Sequence, residues 1–157
     1  MKKLLLLACL MAGMLVSCSS DDEMFYSDDS RIIPEEQESI IDTSWKFYGF
    51  GSEDKKMIKE VEPSPRKDAY IINFQKEGVV SGTSSTNEYS TQYDVKDSKI
   101  YINPNICTTK VGEVGDGDEY MTALLSCSEF FLADNQLILY YDKKQKYLLF
   151  NSIDSSK

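Results

Sequence analysis

Beyond Trp45, apolar and polar positions alternate with a period of two over one short stretch after another, and that pattern predicts strands. "WKFYGF" (45–50) sets Trp45, Phe47 and Gly49 on one face, with Lys46 and Tyr48 on the other. "AYIINF" (69–74) does the same with Tyr70, Ile72 and Phe74, and "GVVSG" (78–82) follows a tight turn at Gln75-Lys76-Glu77. "EYSTQYDV" (88–95) and "KIYIN" (99–103) flank Lys96-Asp97-Ser98, a hairpin-type connection. "QLILYYD" (136–142) and "KYLLF" (146–150) form a second hairpin across Lys143-Lys144-Gln145, with Asp134-Asn135 as a turn pair ahead of it. Many short strands between regular turn signals predict a mainly β domain, a sandwich or a small antiparallel barrel.

One segment changes period. In "DGDEYMTALLSC" (116–127), Tyr120, Met121, Leu124, Leu125 and Cys127 recur at helical spacing, which predicts one amphipathic helix over about 118–127. Asp116 or Asp118 is placed to cap its start, where acids also suit the helix dipole. A shorter helix is predicted near Pro34, where proline precedes Glu35, Glu36 and Glu38.

The first forty residues follow a different pattern. Lys2 and Lys3 precede the apolar run Leu4–Val16, whose thirteen residues are too few to span a bilayer, which takes roughly 20. Length and flanks are those of a signal-peptide core. The run ends at Leu15-Val16-Ser17-Cys18, which resembles the bacterial lipoprotein box. The resemblance implies acylation of the Cys18 thiol and cleavage just before it. Ser19-Ser20-Asp21-Asp22-Glu23 resembles the acidic tether signal of Bacteroidetes-type surface lipoproteins, which implies outer-membrane attachment at the cell surface. A cysteine carrying several acyl chains suffices for stable anchoring. The expected organisation is a signal peptide over 1–17, acylated Cys18 with an acidic tether over 18–40, a β domain over 41–151 and a tail over 152–157.

Charge and composition then remove whole classes of function. Without residues 1–17 the chain has 140 residues, and losing Lys2 and Lys3 takes its net charge from −9 to −11. Such a chain repels nucleic acid, so no nucleic-acid partner is expected. It contains no histidine, which excludes Ser-His-Asp and Cys-His catalysis and the commonest transition-metal ligand. No cofactor is called for, and no carboxylate pair sits in a motif that assigns acid and base roles, so the chain is expected not to be an enzyme. Of the four cysteines, Cys9 leaves with the signal and Cys18 takes the lipid. Cys107 and Cys127 remain, as a disulfide worth roughly 3 kcal/mol in the chain-entropy model or as two packed thiols. Neither CxxC nor histidine accompanies them, which argues against zinc.

Three stretches invite a chemical reading and a plainer one. Asp116, Asp118 and Glu119 in "GEVGDGDE" could hold a cation, or could be a capped, solvated helix start lacking the distant bidentate acid that calcium needs. "SGTSSTNEYSTQY" (81–93) could be a polar binding loop, or a β-turn in which Asn87 bonds backbone groups. Tyr48, Tyr70, Tyr89, Tyr93, Tyr101, Tyr140 and Tyr141 could form a sugar-binding row, or be core and girdle.

In order, Trp45, Phe74, Gly82, Asn87, Tyr89, Tyr93, Thr108 or Thr109, Glu119, Leu124 and the pair Leu137/Leu139 make the chain over about 41–151 similar to META/HslJ-like domains. It departs from them at Thr86, where the family has a cysteine, at Ser90-Thr91-Gln92, which lacks the family's glycine, and at Cys107, which precedes the threonines. A disulfide here would therefore not be the family's. The resemblance implies a small β-barrel or cracked barrel with one helix against its opening and no established catalytic residues. A barrel of about eight strands lies at the border between side-chain-filled and ligand-holding. An apolar groove lined by Trp45, Phe74, Tyr120, Met121, Leu124 and Leu125 is therefore a candidate site for a lipid chain or an apolar peptide. The expected function is that of a lipid-anchored, non-enzymatic envelope protein whose partners are the membrane, through Cys18, and another envelope protein or an apolar ligand. The alternative is a carbohydrate-binding accessory lipoprotein.

Overall fold

The computed structural model describes residues 39–133 and 135–153. The signal peptide, Cys18, most of the tether, the helix near Pro34, Asp134 of the predicted turn pair and the last residues of the tail lie outside them. The strands run in the order β1 Thr43–Ser52, β2 Met57–Glu60, β3 Ile71–Phe74, β4 Val79–Thr83, β5 Glu88–Lys96, β6 Lys99–Ile102 and β7 Cys107–Thr108. Then come helix α1 Gly117–Leu125 and strands β8 Glu129–Ala133, β9 Gln136–Tyr141 and β10 Lys146–Ser152. Neighbouring strands pair in the order β10-β9-β8-β6-β5-β4-β3-β1, and β1 pairs back onto β10, so eight antiparallel strands close a barrel. Among the described residues the fold is thus mainly β, as the alternation predicts, with one short helix where the period changes.

β1 organises the closure. Along one edge it pairs with β10 from Trp45↔Ser152 to Ser52↔Lys146. Along the other it pairs first with β3, through Thr43–Lys46, and then with β2, through Gly49–Ser52. The change of partner coincides with a bulge between Phe47 and Gly49. The extra residue there, Tyr48, stays exposed and donates its hydroxyl to Glu60 at 2.6 Å. A bulge shifts the phase of the pleat, so Phe50 is buried where strict alternation would expose it. Gly49 is required at this crossing because a Cβ would lie 2.3 Å from the Lys59 carbonyl oxygen of β2.

Side chains from seven of the barrel strands fill the interior, and Phe130 and Leu132 of β8 pack against it. Phe47, Ile72, Phe74, Val80, Ile102, Leu137, Leu139, Leu148 and Phe150 are all but inaccessible. The core extends one residue ahead of the expected boundary, to buried Ile40. Thr43 Oγ1 donates to the Ile40 carbonyl and accepts the Trp45 indole N–H at 2.6 Å, so the one tryptophan is buried with its polar atom satisfied. Gly82 lies opposite Tyr89 on the inner face, where a Cβ would be 2.1 Å from the Ile71 carbonyl oxygen and 2.6 Å from the Tyr89 hydroxyl. The absent side chain leaves room for the tyrosine ring.

The seam between β6 and β8 is the narrowest, with the single register pair Lys99↔Glu129. Two lysines reinforce it. Lys99 Nζ is 2.5 Å from Glu129, and Lys144 reaches the other carboxylate oxygen.

Candidate functional site

Helix α1 buries Gly117, Tyr120, Ala123 and Leu124; of the predicted stripe, Tyr120, Leu124 and Cys127 are buried and Met121 and Leu125 only partly so. Tyr120 and Leu124 are fully buried, Trp45 and Phe74 nearly so, and Met121 and Leu125 pack against them. Phe47 lies 4.9 Å from the Tyr120 ring and 5.3 Å from that of Phe150, in tilted contacts. The six residues expected to line an apolar groove are therefore core or rest on it. The groove expectation is corrected: the helix seals a filled interior, because aromatic rings occupy the space a ligand would need. The Tyr120 and Tyr89 hydroxyls, 2.9 Å apart, satisfy each other in the dry interior. Burial pushes both phenols well above the usual range.

The cysteine pair is also corrected. Cys107 and Cys127 are free thiols. Cys107 sits on the exposed two-residue strand β7, opposite Ser90, whereas Cys127 is buried at the end of the helix with its Sγ 3.3 Å from the Ala123 carbonyl oxygen. Burial pushes the Cys127 thiol up. In the folded protein iodoacetamide is expected to alkylate the peptide carrying Cys107 and to spare that carrying Cys127 until denaturant is added. Equal modification of both before denaturation would contradict this placement.

Asp116 precedes the helix but does not cap it with its side chain. Its carboxylate accepts Lys59 Nζ at 2.6 Å and the Glu62 backbone N–H at 2.9 Å, and so ties the helix start to β2 and the segment that follows it. Burial pushes this carboxyl up, but those two contacts outweigh the effect and hold it below the usual range. Asp116 is thus a buried tie to neighbouring backbone and lysine rather than the solvated cap expected of the acidic loop. Among the described residues no group of three or more His, Cys, Asp or Glu is arranged to hold a metal ion.

The serine-rich segment does form a turn, and Asn87 does bond backbone. Its Nδ2 donates to the Val111 carbonyl at 2.7 Å, and its Oδ1 accepts the Val111 N–H at 2.8 Å. Sequence reasoning missed the centre of this arrangement, Glu113. Its carboxylate accepts the Ser84 hydroxyl at 2.6 Å, the Asn87 amide at 2.6 Å, the Thr86 hydroxyl at 3.3 Å and the Ser85 hydroxyl. Burial pushes the Glu113 carboxyl up, and the four donors more than offset it, leaving it below the ordinary range. Every oxygen of this knot is engaged by the chain itself, so it fastens the 109–117 loop to the β4–β5 turn.

Exposed chemistry lies on the outer face of the barrel. The outward residues of β4 and β5 are small or polar: Val79 and Ser81 on one, Ser90, Gln92 and Asp94 on the other. Three hollows follow one another along this floor, of about 320, 260 and 550 Å³. The first two share Gln92 and Asn103, and the last two share Ser90 and Cys107. Tyr101 stands at one end, 61% exposed and directly opposite Asp94. Arg66 stands at the other end, bound to Asp68 and Glu88 at 2.7 and 3.0 Å. No row of tyrosines faces solvent: Tyr70, Tyr89 and Tyr93 are buried, Tyr140 and Tyr141 half-buried, and only Tyr48 and Tyr101 of the seven are exposed.

The META domain family model matches residues 38–154. Among solved structures, the chain is similar to an NMR structure of a protein from Burkholderia xenovorans, with 22% identity and a TM-score of 0.58 over 81% of this chain and 97% of that one. It is also similar to the crystal structure of a DUF4847 family protein from Bacteroides vulgatus, with 19% identity and a TM-score of 0.52 over 70% of this chain and 92% of that one. At these identities the likeness is one of fold. No curated protein matches the sequence.

Proposed function

The chain belongs to the META domain family, and from that premise we propose that it is a non-catalytic envelope protein, anchored in the outer membrane through acylated Cys18, that works by contact through its outer surface. The filled interior supports this reading most. With Tyr120 and Leu124 at 0% exposure beneath the helix, a partner meets the outside of the barrel rather than its inside. The carboxylate with the most partners, that of half-buried Glu113, spends its lone pairs on four neighbours and has none poised for proton transfer. Two lysines, an apolar run and then a cysteine support the anchor. The acidic residues that follow support display at the cell surface, where another envelope protein would be within reach.

The anchor carries the test. Labelled palmitate fed to cells is expected to enter the wild-type protein and not the Cys18→Ala variant, which should also be released from the membrane fraction. Equal labelling of the two would overturn the reading.

A further inference from the structure

We propose that the outer face of β4, β5 and β6 is a binding track for an uncharged oligosaccharide, with Tyr101 as its stacking platform. The proposal rests on the reading of the outer surface as the working face and does not depend on the anchor.

A sugar ring has an apolar C–H face and a rim of hydroxyls. It is held by an exposed aromatic ring, whose negative face attracts those C–H groups, beside side chains with unused hydrogen-bonding capacity. The end of the track at Tyr101 offers both. The ring is 61% exposed and pairs across the strands with Asp94. Gln92 and Asn103 lie next along the floor, where the Asn103 N–H bonds the Gln92 carbonyl at 2.9 Å. Among the described residues the side chains of Gln92 and Asp94 and the Tyr101 hydroxyl make no hydrogen bond, and Asn103 uses only its Oδ1. These groups are spent on water in the free protein and available to hydroxyls in a complex.

Other ligands fit less well. Glu77 and Asp94 flank the ring, so an anionic polymer would be repelled. Val79 and the Tyr101 ring offer an apolar peptide or acyl chain little area to bury against. An added strand would find no open edge along β5, which is paired with β4 on one side and with β6 on the other. The outward positions of β5 from Glu88 to Asp94 span about 20 Å at the usual rise, and along that distance each hollow shares lining residues with the next. Such a shape suits an extended chain of rings better than a single sugar.

The test is calorimetric titration of the full-length protein, held in a sugar-free detergent, with maltoheptaose, cellohexaose, xylohexaose and mannohexaose, and with polygalacturonate as the charged control. At least one neutral probe should bind saturably and polygalacturonate should not. Tyr101→Ala should weaken binding about tenfold, Tyr101→Phe should largely retain it, and Gln92→Ala should weaken it less. Tyr101 is mostly exposed, so unchanged Trp45 emission will certify the fold of each variant. No saturable heat with any neutral probe, equal affinity in Tyr101→Ala, or tighter binding of polygalacturonate would each overturn the track. None of these outcomes bears on palmitate labelling at Cys18, so failure of the track and failure of the anchored reading are separately visible.

Discussion

Phe47→Ala is expected to lower the unfolding free energy by about 3–5 kcal/mol, the usual cost of removing a fully packed phenylalanine. Phe47 is 1% exposed, and its ring lies 5.0, 5.9, 4.9 and 5.3 Å from those of Phe50, Tyr70, Tyr120 and Phe150. It joins β1 to β10 and to the underside of the helix, so its loss would leave a cavity bounded by large rings that cannot collapse far. Whole domains are stable by only about 5–15 kcal/mol, and the variant should sit near the limit of folding. Phe47→Leu, which retains most of the volume, should cost clearly less. Denaturant titration followed at Trp45 will measure both. A midpoint for Phe47→Ala close to the wild-type value would show that the interior is not packed as described.

The second large effect is expected at Glu113. Glu113→Ala removes the acceptor shared by Ser84, Ser85, Thr86 and Asn87, of which Ser84 and Ser85 are fully buried. Donors stranded away from water cost about 1–3 kcal/mol, and the 109–117 loop should loosen with them. A pH dependence accompanies this. The folded carboxyl is held below the ordinary value of 4.5, so near that pH the unfolded chain takes up the proton first. The contribution is complete above about pH 4.5 and is lost as pH falls from there through the lower folded value. Glu113→Gln cannot titrate. Its stability should therefore fall less steeply than that of the wild type between pH 5 and 3, although Asp116 and Glu129 also have lowered values and continue to contribute in both. Parallel curves for the two proteins would remove Glu113 from this role.

Much of the barrel can be read in the chain because its strands are half-buried and alternate. Trp45 and Phe47, Ile72 and Phe74, and Tyr89 and Tyr93 all point inward as their spacing implies. The hairpin connections are legible too. Asp97 adopts φ 54°, and Asp142, Lys143 and Lys144 adopt φ 49°, 55° and 67°, the turn geometry that polar residues between apolar runs signal. β2 could not be read, since every residue of "MIKE" is exposed and no inside–outside pattern marks it. It is a strand because Gly49 lets it approach β1. β8 was hidden for another reason: "EFFLA" is almost continuously apolar, and only its partners show which face is which.

The candidate site was harder to read than the fold. A helix stripe of Tyr120 and Leu124 looks the same in sequence whether it roofs a cavity or a filled core. Counting cysteines left a bond and two packed thiols open, and the fold has both thiols free, with Cys107 exposed and Cys127 buried. Glu113 is a lone acid between valine and glycine, and its donors lie 26 to 29 residues away. The outer track escaped notice because its signal is what Gln92 and Asp94 do not bond to, which only a fold reveals.

Pairing between the first barrel strand and the last also imposes an order in time. A ribosome delivers the chain from its N-terminus, so β1 emerges while its partner from Lys146 to Ser152 is still unmade. Until those final residues arrive, a ten-residue strand carrying Trp45, Phe47 and Phe50 has one edge bare. A bare edge of that length readily joins another chain. A nascent chain that pauses short of residue 146 thus has every barrel strand but the last, and no closed ring. Synthesis of Lys146–Ser152 decides whether the edge of β1 is closed within the ring or left open to another chain.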